Sequence, residues 1–113
     1  MNPDYYAQKD FAIKRGDDFV RTVIARASVD GDPVDLTGST IRSQARRGTE
    51  DVAFEIEVTD AVAGEFTWTL PRSTTEDMAV GDWRYDLEVT DNNDIRLTRV
   101  GGVFSVQADQ TYG

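Results

Sequence analysis

Apolar and polar residues alternate with a period of two through most of this chain, and that pattern predicts strands. Phe11 and Ile13 flank Ala12 in a first short strand. "RGDD" (Arg15 to Asp18) reads as a turn in which Gly16 is free to take a positive φ. Residues 19–27 then read as a long strand, with Phe19, Val23 and Ala25 on one face and Val20, Thr22 and Ile24 on the other. Both faces are apolar enough to predict a strand that is central or partly covered on both sides. "DPVDLTGST" (residues 32–40) interrupts the alternation. Beyond it Ile41, Ser43 and Ala45 alternate with Arg42, Gln44 and Arg46.

"RGTED" predicts the next turn, followed by Phe54, Ile56 and Val58 alternating with Glu55 and Glu57. Antiparallel pairing of these two strands would set Arg42 and Arg46 across from Glu55 and Glu57, at a few tenths of a kcal/mol per exposed pair. "TDAVAG" turns the chain into Phe66, Trp68 and Leu70, and Pro71 ends that strand because it lacks the N–H for a ladder bond. "RSTTEDMAVG" predicts one short helical turn, capped by Ser73 or Thr74 with Glu76 and Asp77 near its positive end. Trp83, Tyr85, Leu87 and Val89 then alternate with Arg84, Asp86 and Glu88. "TDNND" predicts a hairpin turn with Asn at positive φ, and residues 95–99 return as the partner strand. Gly101 and Gly102 suggest a bulge or a bend, and Phe104 and Val106 begin a last short strand.

Seven to eight short strands at this spacing predict an all-β fold, an antiparallel β-sandwich. The segments are an N-terminal arm (1–10), a sandwich domain (11–107) and a C-terminal tail (108–113). A length of 113 residues matches one domain with a modest core. The aromatic residues Phe11, Phe19, Phe54, Phe66, Trp68, Trp83, Tyr85 and Phe104 sit at strand positions and predict core rather than an exposed sugar platform. Tyr5 and Tyr6 in the N-terminal arm, and Tyr112 in the tail, lie outside the alternating pattern and are the candidates for docking on a partner.

Composition narrows the chemistry. The chain has no cysteine and no histidine, which excludes disulfides, thiolate and imidazole metal sites, and His-dependent triads. A general base at neutral pH would have to be a carboxylate or lysine with a strongly shifted pKa, so the expectation is a protein that is not an enzyme and carries no cofactor. The net charge is −9, which disfavours free nucleic acid and anionic membrane as partners. No apolar run approaches the ~20 residues needed to span a bilayer, and the N-terminus lacks the basic and apolar regions of a signal peptide. The expectation is a chain kept or assembled in the cytoplasm. Asp30, Asp32 and Asp35 cluster in one connection and Asp91 and Asp94 in another, yet neither follows the EF-hand spacing, and Asx turns explain both without a metal. "RGD" at Arg15-Gly16-Asp17 is explained by its turn.

"DFAIKRGDDF", "PVDLTGSTIRSQAR", "GEFTWTLPRSTTEDMAVGDWRYDLEVT" and "RLTRVGGVFSV", in that order, resemble the N-terminal domain of lactococcal-phage upper baseplate proteins and similar short phage-tail proteins. The resemblance runs from about Phe11 to Val106, and "VDLTG" before a strand is its most specific element. It implies an immunoglobulin-like sandwich. It also implies a structural virion protein, assembled in the host cytoplasm in many copies, that docks on tail, baseplate or neck proteins and helps fix fibres or receptor-binding proteins. The alternative is a carbohydrate- or cell-surface-binding module. In the structural reading Asp35 accepts backbone N–H bonds, Leu36 plugs the sandwich end, and Thr37 and Gly38 reverse the chain.

Overall fold

The computed structural model describes residues 7–26 and 31–108. They form nine strands and a single helical turn: β1 (Ala7–Gln8), β2 (Phe11–Lys14), β3 (Phe19–Ile24), β4 (Thr40–Arg47), β5 (Glu50–Ala53), β6 (Glu55–Asp60), β7 (Glu65–Leu70), α1 (Arg72–Thr75), β8 (Gly81–Thr90) and β9 (Arg96–Gln107). Two sheets face one another. One has the order β3-β7-β6; the other runs β9-β8-β4-β5, with β1 and β2 both on the free side of β9. In immunoglobulin lettering these are B-E-D and G-F-C-C′, so the fold is an all-β, immunoglobulin-like sandwich. The ladders are antiparallel, except that β1 and β2 run parallel to β9.

Residues with inward Cβ vectors supply the core. In β7 Phe66, Trp68 and Leu70 are buried while Glu65, Thr67 and Thr69 are half-covered. In β8 Trp83, Tyr85, Leu87 and Val89 face inward. Aromatic rings meet mostly edge to face at the centre. Phe19 lies 5.1 Å from Phe104 and 5.5 Å from Trp68, and Phe11 lies 5.2 Å from Phe19. Such geometry adds to the burial energy of each ring. Trp83 Nε1 donates to the Ala79 carbonyl at 2.9 Å, pinning the turn that enters β8 much as the tyrosine corner of immunoglobulin domains does.

Several expectations need correction. The third strand is not covered on both sides: it is an edge strand, and Val20, Thr22 and Ile24 are exposed. Arg42 and Arg46 do not face Glu55 and Glu57. A hairpin with Gly48 at φ 62° inserts β5, where the "RGTED" turn was expected to end, and β4 pairs with β5 and β8. The chain then passes at buried Phe54 into β6 of the other sheet, so Arg42 pairs with Glu88, and Arg46 with Arg84 and Asp51. Neither Ser73 nor Thr74 caps α1. Pro71 is the N-cap, and the first helical N–H, on Arg72, donates to Asp18 Oδ1 at 2.6 Å from the β2–β3 turn. Thr75 Oγ1 ties that turn again, donating to the Asp17 carbonyl at 2.7 Å. At the β8–β9 turn Asp94 takes the positive φ, 64°, and the asparagines do not. The last two strand segments are one twelve-residue strand, whose register against β8 shifts between Leu87 and Glu88, just before the glycine pair.

Gly102 has its own reason. A Cβ there would lie 2.3 Å from the Lys9 carbonyl oxygen and 2.8 Å from Asp10 Oδ1. The link between β1 and β2 packs against β9 at this point. Lys9 N donates to the Gly101 carbonyl at 3.0 Å, Val103 N donates to Asp10 Oδ1 at 2.9 Å, and the buried Tyr85 hydroxyl donates to the Lys9 carbonyl.

Candidate functional site

Tyr5, Tyr6 and Tyr112, singled out for docking, lie outside the described residues, as does Asp30. The corner at residues 35–38 is described in full. Asp35 Oδ1 accepts from Thr37 N at 2.9 Å and from Thr37 Oγ1 at 2.6 Å, forming an Asx turn. Those two donors, the hydroxyl first, hold the exposed Asp35 carboxyl below the ordinary aspartate range. Leu36 is 2% exposed and belongs to the core, and its N–H donates to the Ala61 carbonyl at 2.7 Å. Gly38 has φ 76°, and a Cβ on it would meet the Asn92 Cβ at 3.0 Å. The β6–β7 turn closes on the same corner: Gly64 has φ 73°, and a Cβ there would lie 2.6 Å from the Val34 carbonyl oxygen. All four residues of the corner therefore act on chain direction and packing.

The outward face of β4, β8 and β9 concentrates charge. Cross-strand register places Arg42 beside Glu88, Gln44 beside Asp86, Arg46 beside Arg84, and Thr40 beside Thr90, which pairs with Arg96. A shallow groove of about 200 Å³ runs along this face, lined by Arg42, Gln44, Arg46, Asp86, Glu88 and Arg96. Partial burial in the groove, reinforced by the neighbouring Glu88, raises the Asp86 carboxyl above its ordinary range, against the pull of Arg46. Ser43, buried beneath, donates its hydroxyl to the Asp86 carbonyl at 2.6 Å. Sequence alternation had marked Arg42 and Arg46 as outward, but which carboxylates they meet depends on the β4–β8 register.

The outward face of the smaller sheet is of another kind. Val20 pairs with Thr69, which pairs in turn with Glu55, and Thr22 pairs with Thr67, which pairs in turn with Glu57. Arg21 belongs to the other face, with Phe19 and Val23, and lies over the rings of Phe19 and Phe11, at 4.5 and 5.7 Å from their centroids. A second cleft, about 420 Å³, lies between α1 and β5, with Glu50, Asp51 and Asp77 around Val52, Met78 and Trp83. Among the described residues no three acidic side chains converge as a metal-binding group.

No family model matches this chain, and no curated protein does. Among solved structures it is similar to an internalin-like protein of Listeria monocytogenes, at 12% identity and a TM-score of 0.46. That match covers 92% of this chain and spans 28% of the length of the other.

Proposed function

We propose that this chain is a non-enzymatic structural domain of a tailed-phage virion, an adaptor that docks on tail, baseplate or neck proteins and helps fix fibres or receptor-binding proteins. The observation that carries the reading is the arrangement of the polar chemistry. Arginines and carboxylates are interleaved across a broad sheet face, with their partners set by strand register, a form suited to a protein surface of complementary charge. The segments that resemble the baseplate domains support it further. "VDLTG" builds the corner under Leu36, and "LPRSTTEDMAVGDW" builds the turn through α1 to Trp83. Burial of Trp68 (3% exposed) and Trp83 (1%) weighs against the carbohydrate-binding alternative, which needs aromatics exposed as a platform.

Co-expression with the tail, baseplate and neck proteins of a tailed phage, followed by gel filtration with light scattering, tests this. A complex of defined mass is expected, and Arg42→Glu with Arg46→Glu should weaken it while leaving the melting temperature within a few degrees. A chain that ignores every virion partner and is retained on bacterial polysaccharide would overturn it.

A further inference from the structure

Among the described residues the two sheets have four edges: β5 and the β1–β2 segment in one, β3 and β6 in the other. A free edge exposes unpaired N–H and C=O groups and is a template for another chain unless charge, proline or irregularity blunts it. β5 carries Glu50 and Asp51. β6 carries Glu55, Glu57 and Asp60, and its register shifts between Val58 and Asp60. β2 is four residues long and ends in Lys14. β3 has only one of these devices, the single charge of Arg21, which lies inward over Phe19, and its ladder to β7 has no register shift. Its sequence Phe-Val-Arg-Thr-Val-Ile holds no proline, glycine, lysine or carboxylate. Among the described residues no strand pairs with its outer side, because β2, the preceding strand, pairs with β9 in the opposite sheet.

Which groups are open follows from the ladder. Ala25 N donates toward β7, to the Gly64 carbonyl at 2.8 Å. Backbone direction alternates along a strand, so Val20, Thr22 and Ile24 direct their N–H and C=O groups away from β7. The Arg21 guanidinium, donating to the Val20 carbonyl at 2.9 Å, agrees with that direction and leaves the oxygen a second lone pair. The side chains of Val20 and Ile24, 54% and 40% exposed, lie on the outer face beside these groups.

We propose that β3 joins two copies of this chain, antiparallel, about a twofold axis at Thr22, which rests on the assembly reading above. In that register Thr22 meets the partner's Thr22, and Val20 packs against the partner's Ile24. Arg21 lies across from the partner's Val23, so like charges are not opposed. Asp18 runs toward the partner's Arg26. A chain of net charge −9 thus meets its own copy along the one edge strand whose sequence has no carboxylate and a single arginine. Pairing β5 or β6 with itself would instead set carboxylates against carboxylates. Six residues of strand make a small interface, so the dimer is weak and concentration-dependent.

The chain has no cysteine, so single-cysteine variants are clean probes. A hydrogen-bonded antiparallel pair sets its Cα atoms about 5.5 Å apart, within disulfide reach. Thr22→Cys should therefore form a disulfide dimer on mild oxidation, and Thr67→Cys, one strand inward, should not. In sedimentation experiments the wild type should move from monomer to dimer as concentration rises. Val20→Lys and Thr22→Pro should remain monomers at the same concentrations; the Thr22 N–H faces outward, so proline removes no bond within the chain. Unchanged melting curves for both variants show that the fold is kept. A wild type that stays monomeric with no Thr22→Cys cross-link, or a dimer that survives both variants, would overturn the proposal. If a tail-protein complex still forms in that case, self-pairing falls and the adaptor reading stands.

Discussion

Replacing Gly102 by alanine adds one carbon at a point where the β1–β2 link packs against β9. That carbon would lie 2.3 Å from the Lys9 carbonyl oxygen and 2.9 Å from its carbon, both of them backbone. No flexible side chain can yield there, so the β1–β2 link must lift off β9. Three hydrogen bonds then go together: Lys9 N to Gly101, Val103 N to the Asp10 carboxylate, and Tyr85 to the Lys9 carbonyl. Neutral bonds are worth about 0.5–1.5 kcal/mol each, and one to a charged group about 1.5–3. The loss is thus about 2.5–6 kcal/mol, a large part of the 5–15 kcal/mol typical of a domain. The assay is urea unfolding followed by the fluorescence of the buried Trp68 and Trp83, with amide exchange at β2 as a second readout. Gly48→Ala is the control, because a Cβ at Gly48 meets nothing within 4 Å and only its φ of 62° is strained, at about 1–2 kcal/mol. A Gly102→Ala protein no less stable than Gly48→Ala, with β2 amides still protected, would refute this close packing of the link on β9.

Gly38→Val and Leu36→Asp should each disrupt folding, the first by strain at φ 76° against Asn92 and the second by an unpaired charge in the core; soluble variants that melt normally would count against the corner as a structural element. Trp83→Phe should destabilise more than Trp68→Phe by about 1 kcal/mol, because Trp83 Nε1 has its acceptor in Ala79 while buried Trp68 Nε1 has none among the described residues; equal unfolding midpoints would negate this. Asp35 has a depressed pKa, so its stabilising contribution is present above the ordinary aspartate value of about 3.9 and is lost as pH falls through the lower folded value. Asp35→Asn should flatten acid unfolding in that window, as followed by circular dichroism. Asp86 has a raised pKa, so its charged form opposes folding at neutral pH and is relieved on acidification. Asp86→Asn should be at least as stable as wild type at neutral pH, with any gain shrinking as pH falls; a marked loss at neutral pH would contradict this sign.

Local pattern carried most of the strand content. Period-two spacing is a backbone property, so Phe66-Trp68-Leu70 and Trp83-Tyr85-Leu87-Val89 identify their inward faces without any knowledge of what they face. The corner at residues 35–38 was legible for the same reason: an Asx turn and a left-handed glycine are made within four residues. The partner of each strand was not legible, because pairing is decided between segments far apart in sequence. Residues 19–27 read as covered on both faces because Val20 and Ile24 are apolar. Only the choice of β9 over β3 by the β2 strand leaves them at an open edge. Arg42 and Arg46 were visibly outward, but the switch of sheet at Phe54 gave them Glu88, Arg84 and Asp51 as neighbours instead of Glu55 and Glu57. Asp18 as the cap of α1 and Gly102 beneath Lys9 belong to the same class, contacts 54 and 93 residues apart. The sequence by itself determined an all-β sandwich, its inward faces and its turns, since those depend on residues that are chain neighbours. Tertiary structure alone decided which edge stays open and which charges meet, since those depend on where distant strands find their ladders.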